Sequence, residues 1–195
     1  VRATRIESPS TLVPQGTLIS GVLETAIQSD LPGLIRAQVS APVPAFDGTL
    51  AIPRGSRLIG RYQSGLVRGQ TRVFVVWTRC LRPDGVSIEL GSPGADSLGR
   101  AGIAGEIDTH FFEIFGASVV LSLIDGGLGI AAAKAQDNDN STIVSSGGDD
   151  LSRAAEIALK NRIDIPPTIR IASGTPIQVF VAKDLDFAGA PAASE

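Results

Sequence analysis

Cysteine, histidine and methionine are almost missing from this chain of 195 residues, which holds one Cys, one His and no Met. A single cysteine cannot close a disulfide within the chain, and so few thiols suit an oxidising compartment. A single histidine excludes His-rich metal sites and leaves Cys80 with only His110 to activate it, far away in sequence. Aromatic residues make up only 5% and charged residues 19%, with a formal net charge of −3, so there is no basic footprint for nucleic acid. No uncharged apolar run reaches about 18 residues, and no signal peptide is legible. With no initiating Met, the chain is expected to start at Val1 as a fragment or processed product, any targeting segment lying upstream. Neither GxxxxGK[ST] nor a strand–GxGxxG–helix unit occurs, which argues against a phosphate cradle.

What is present favours strands and turns. Gly 22 and Pro 12 are high counts, and apolar residues reach 43%, enough for one domain with a sizeable core. Residues 1–15, with Pro9 and Pro14, have no clear period and read as an extended N-terminal arm. Strands are expected over 16–28, 34–43, 50–53, 56–66, 70–81, 86–90, 168–172 and 177–183. Turn signals separate them at Leu31-Pro32-Gly33, Asp47-Gly48, Pro83-Asp84-Gly85 and Ser173-Gly174. In 34–43, Ile35, Ala37 and Val39 share one face and Arg36, Gln38 and Ser40 the other. In 70–81, Val73, Val75 and Trp77 share a face with Arg79, opposite Phe74, Val76, Thr78 and Cys80; two largely apolar faces predict a central strand. Residues 91–105, rich in glycine, read as a crossing loop, and 188–195 as a flexible tail. The fold class that follows is mainly β, a β-barrel of short strands over 16–187 with a two-helix hairpin inserted at about 108–163.

The insertion begins with an uncharged run of eleven residues, Ile114 to Ile124. As helix it rises only about 16 Å, but extension over 111–133 gives about 34 Å, enough to cross a bilayer core. The extended helix carries Asp125, which costs on the order of 3 kcal/mol at the bilayer centre unless it faces away from lipid. Ser118, Ser122, Asp125, Gly129 and Gln136 follow the spacing of one helical face, and Val120, Leu123, Ile124, Ile130 and Ala131 lie away from it. The first set is expected to face a lumen or a packed helix, the second to face lipid. The same periodicity suits a helix on a soluble core. A polar loop over 136–148 follows, then a second helix with the stripe Leu151, Ala154, Ala155, Ala158 and Leu159, stopped by Pro166-Pro167.

Side chains that carry chemistry are scattered. Asp108, His110 and Glu113 form the one cluster resembling a metal or acid–base site, but no second His exists, and the expected reading is a helix start with acidic Asp108 at its N-terminal dipole. Asp137-Asn138-Asp139-Asn140 opens like a calcium loop but lacks the glycine and terminal glutamate. Arg61, Arg68 and Arg72 are expected to be surface or interface pairs. No catalytic, cofactor-binding or metal-ligating set is expected, and the chain does not read as an enzyme.

Six segments resemble a known family in order: GTLISGVLETAIQSDLPG (16–33), AQVS (37–40), IPRGSRLIGRY (52–62), GQTRVFVVWTRCLRPDGVSIEL (69–90), SPGADSLGRAGIAGEIDTHFFEIFG (92–116) and IPPTIRIASGTPIQVFVAKDLDF (165–187). They resemble the C-terminal domain of the TrbI-like proteins, the core-channel proteins of type IV secretion and conjugation machines. That family usually has an aliphatic residue where Cys80 stands. The resemblance implies a periplasmic β-barrel with a protruding two-helix antenna, several copies forming a homo-oligomeric ring whose antennae line a pore through the outer membrane of a Gram-negative cell. It implies as partners an outer-membrane-associated β-sandwich protein and a small lipoprotein, with DNA or protein cargo only in passing, and an inner-membrane anchor in the full-length protein. The other reading is a soluble periplasmic binding or scaffold module whose hairpin packs on its own barrel.

Overall fold

Six antiparallel strands close on one another, so the central sheet has no open edge to protect. The computed structural model describes residues 2–3, 5–64, 69–110 and 166–193. Among them, in chain order, run β1 (Leu12–Val13), β2 (Leu18–Leu23), β3 (Ile27–Gln28), β4 (Gly33–Val39), β5 (Val43–Pro44), β6 (Leu50–Ile52), β7 (Arg57–Tyr62) and β8 (Arg72–Val73). They are followed by β9 (Val75–Leu81), β10 (Ser87–Asp96), β11 (Ile103–Ala104), β12 (Glu106–Asp108), β13 (Thr168–Ile171), β14 (Pro176–Phe180) and β15 (Leu185–Asp186). The barrel order is β10-β14-β2-β4-β7-β9, and β1-β15, β5-β6, β8-β11 and β12-β13-β3 form small sheets beside it.

The two-residue period of each stave puts one row of side chains inside. β4 buries Ile35, Ala37 and Val39, the row its alternation predicts, and exposes Leu34, Arg36 and Gln38. β2 contributes Ile19 and Leu23, β7 Leu58, and β14 Ile177 and Val179 to the same core. Trp77 is fully buried among them. It fits because its neighbours across the ladder are small. A Cβ on its register partner Gly60 would stand 2.8 Å from the indole, and one on Gly94 of β10 would stand 3.0 Å from its Nε1. These glycines are places where another group approaches the backbone closely, which is one of the uses of glycine within strands.

Two expectations change here. Ile59 pairs with Arg79 but Gly60 with Trp77, so Thr78 is an extra residue in β9 relative to β7. The bulge breaks the alternation: Thr78 and Arg79 both face out, and Cys80 turns inward. β9 does lie between two barrel neighbours, as a central strand should, but it has one inner face with a phase change, not two apolar faces. The glycine-rich stretch expected as a loop over 91–105 is strand through Asp96 and again at β11. Its composition marks the space that Trp77 occupies and the turns at Gly99 (φ 78°) and Gly102 (φ 77°).

The chain ends also differ from their expected form. β1 pairs with β15, Phe46 N–H donates to the Leu12 carbonyl at 2.8 Å, and Phe187 N–H donates to the Thr11 carbonyl at 2.9 Å. Val13 is fully buried. The expected arm of 1–15 is therefore fastened to its own barrel from Pro9 onward, because Leu12-Val13 is a two-residue strand with an apolar inner side chain. The tail expected over 188–195 is held at Pro191, whose carbonyl accepts a hydrogen bond from Arg82 at 3.0 Å.

By compactness the chain divides into two units, Val1–Ile107 with Thr168–Glu195, and Asp108–Pro167. In the second, Asp108 ends β12, its Oδ1 accepts from the His110 N–H at 3.0 Å, and His110 has φ of 52°. The helical hairpin expected at about 108–163 otherwise lies outside the described residues.

Candidate functional site

Cys80 sits in the barrel core. Burial pushes its thiol up to about 12, only partly offset by the nearby Arg82 charge. A thiol so far from ionisation is a small core side chain and not a nucleophile. Asp108 and His110 are neighbours, with Nδ1 3.9 Å from Oδ1, while Glu113 lies outside the described residues. Among the described residues no three of His, Cys, Asp and Glu gather into a group that would hold a metal ion. The calcium-like stretch of 137–140 and Arg68 also lie outside them. Arg61 and Arg72 are not brought into one patch. Arg61 is exposed on β7, whereas Arg72 reaches Asp96 at 3.3 Å and donates to the Ala101 carbonyl.

Asp96 and Arg82 organise two contacts that the sequence reading missed. Asp96, at the end of β10, accepts hydrogen bonds from the N–H groups of Leu98 and Arg100, each at 3.0 Å, and from Arg100 Nε at 2.7 Å. Burial opposes its charge, but those bonds and the Arg100 guanidinium outweigh burial and hold the carboxyl below its ordinary value. The turn they fix presents Leu98, which is exposed. The signal in sequence was an Asp two residues before the Leu of DSLGR, an Asx-turn pattern. Arg82 is buried, pairs with Asp84, lies over the Phe187 ring at 5.9 Å and holds Pro191. Phe187 and Pro191 lie 105 and 109 residues along the sequence from Arg82, so no local pattern announced those two contacts.

The outer face of the barrel carries an aligned row of outward side chains, apolar except at Arg61. Leu34 pairs with Arg61, Arg61 with Val76, and Val76 with Pro93. One step on from the Gly94–Val179 pair, Pro93 adjoins Phe180, which pairs with Leu18. Leu34 is 81% exposed and Leu18 and Phe180 nearly half exposed. Scattered exposed leucines need no explanation, but an aligned row across six strands is the kind of surface that another protein covers. No single strand shows it, because each contributes one outward residue that only the register lines up.

The residues singled out in the insertion, Ser118, Val120, Ser122, Leu123, Ile124, Asp125, Gly129, Ile130, Ala131 and Gln136, all lie outside the described residues. Among those that are described, no helix is long and apolar enough to cross a membrane.

The family model described as bacterial conjugation TrbI-like protein matches residues 12–187. The chain belongs to the TrbI-like family. The match begins at β1 and ends just past β15, so it takes in every strand described above. Among curated proteins, this TrbI-like chain is 37% identical over 191 residues to the type IV secretion system protein virB10 of Bartonella henselae, covering 96% of the chain and 47% of that protein. It is 36% identical over 189 residues to protein virB10 of Agrobacterium tumefaciens, covering 96% and 50%, and 38% identical over 189 residues to virB10 of Brucella melitensis, covering 95% and 50%. The chain thus spans about half the length of the curated relatives it matches. Among solved structures, ComB10 of the Com type IV secretion system of Helicobacter pylori superposes with a TM-score of 0.59 over 93% of both chains, at 18% identity, a likeness of fold alone.

Proposed function

We propose that this TrbI-like chain is a structural subunit of a type IV secretion core complex. Its copies form a closed ring, and the hairpins of about 108–163 together make the outer-membrane pore through which DNA or protein passes. The observation that carries the reading is the family match over 12–187, joined to relatives named as type IV secretion virB10 proteins. The exposed Leu34, Leu18 and Phe180 of the barrel support it: identical copies favour closed rings, and a side-by-side neighbour would cover Leu34 or Phe180. The stripe of Ser118, Ser122, Asp125, Gly129 and Gln136 then faces the lumen or a neighbouring helix. Val120, Leu123, Ile124, Ile130 and Ala131 face lipid. The compartment is the periplasm and outer membrane of a Gram-negative envelope, and the neighbours are further copies, an outer-membrane-associated β-sandwich protein and a small lipoprotein. The subunit performs no catalysis in this reading and takes no cofactor.

The test compares two adjacent substitutions. Ile124→Asp places a carboxylate toward lipid, at a cost on the order of 3 kcal/mol per subunit near mid-depth, multiplied around a ring. Asp125→Leu removes a charge from the aqueous side. In cells carrying the complete machine, Ile124→Asp is expected to abolish membrane insertion of the hairpin and transfer, with the barrel still folded. Asp125→Leu should keep insertion and alter passage only. Equal, mild effects of both would overturn the assignment of the two faces.

A further inference from the structure

Charge is segregated on the outer face of β7 and β9. Alternation turns Arg57, Ile59 and Arg61 of β7 outward, and the bulge at Thr78 turns Arg79 outward beside its register partner Ile59. Lys183, just after β14, lines with Ile59, Thr78, Arg79, Glu89 and Gly91 an open cleft of about 470 Å³. Four described arginines sit on carboxylates, Arg36 on Glu24, Arg72 and Arg100 on Asp96, and Arg82 on Asp84, whereas Arg2, Arg5 and Arg54 are in none of these pairs. Arg57, Arg61, Arg79 and Lys183 form none of these pairs. Glu89 is the one carboxylate lining the cleft, and it makes no ion pair with Arg79, its partner across the ladder. In a chain whose net charge is −3, the two cations that line the cleft, Arg79 and Lys183, outnumber its single carboxylate, Glu89, and Arg57 and Arg61 add charge on the outer side of β7.

We propose that this face docks an acidic polypeptide segment of a partner protein, its carboxylates taken by Arg79 and Lys183 and an apolar side chain resting on Ile59. Guanidinium groups bind carboxylates bidentately, and their planar fork loses less freedom per hydrogen bond than a flexible ammonium does. Gly91, at φ 58° with open space above it, lets an extended backbone lie close. Glu89 favours a peptide over a nucleic acid. It would repel a continuous row of phosphates, whereas a peptide can answer it with a backbone N–H or a lysine. No aromatic side chain lines the cleft to stack a base. The face would be the same on a monomer, so the inference does not depend on ring formation.

The folded chain is titrated with a hexaglutamate peptide while backbone amide resonances are followed by NMR. Shifts are expected at Thr78, Arg79, Gly91 and Lys183, and affinity should fall about tenfold in the Arg79→Gln/Lys183→Gln variant and again at high salt. Arg2→Gln/Arg5→Gln, which removes the same charge from the N-terminal segment, should change affinity less than about twofold. Lys183→Gln alone, outside the barrel strands, reports the same loss in smaller measure if the double variant folds poorly. Equal losses in the two double variants, shifts on other faces, or no binding at millimolar peptide would overturn the proposal. So would a single-stranded oligonucleotide of matched charge that binds this face more tightly than the peptide.

Discussion

Asp96 links the stability of the fold to acid. Its folded carboxyl is held below its ordinary value, despite burial, by the N–H groups of Arg100 and Leu98 and by the Arg100 guanidinium. A group with a depressed folded pKa stabilises fully above its unfolded value of about 4 and loses that contribution as pH falls through the folded value. Asp96→Asn is therefore expected to lower the melting temperature by a constant amount between about pH 5 and about pH 7, and by less below about pH 4. A deficit that persists unchanged in acid would mean that the carboxylate's charge contributes nothing. Cys80 gives a second check at the same scale. With its thiol near 12 instead of 9.0, it should react with a maleimide about a thousandfold more slowly than a free cysteine at pH 8, and at the free rate once unfolded. Fast labelling of the folded chain would place Cys80 outside the core.

At the scale of elements, β1 decides what the N-terminal segment can do. Removing residues 1–7 keeps the hydrogen bonds of Thr11 to Ser8 and the pairing of Leu12 and Val13 with β15, and should change unfolding free energy by less than about 0.5 kcal/mol. Removing 1–15 deletes the fully buried Val13 and strips β15 of its partner strand. The apolar transfer alone costs about 2 kcal/mol, and the orphaned hydrogen bonds add to it. Denaturant titration of the two truncations measures the difference, and equal stability would show that β1 is not part of the fold. The same element marks the limit of what could be read from sequence. β4 and the turns at Asp47-Gly48 and Pro83-Asp84-Gly85 were legible because alternation and turn chemistry are local. β1 was not, because a two-residue strand carries no period. The bulge at Thr78 was not, because one inserted residue reads as unbroken alternation until a neighbouring strand supplies the register. The Arg82 contacts with Phe187 and Pro191 and the outward row from Leu34 to Leu18 join residues remote in sequence, and only closure of the barrel brings them together. Gly94 looked like loop composition, though its role is to leave room for Trp77.

At the scale of the whole molecule, a closed barrel supplies a rigid base, with both chain termini fastened to it at β1 and at Pro191. Its outer surface offers a row of side chains apolar except at Arg61, and a cleft lined by Arg79 and Lys183. The proposed pore requires the insertion to leave that base and cross the outer membrane, which puts the polar loop of 136–148 outside the cell. The most direct measurement is labelling of Ser145→Cys with a membrane-impermeant maleimide on intact cells that carry the complete secretion machine. The unsubstituted chain serves as the control, since its one thiol is buried. Ser145→Cys is expected to be labelled on intact cells while Cys80 is not. Labelling that requires prior permeabilisation of the outer membrane would contradict it.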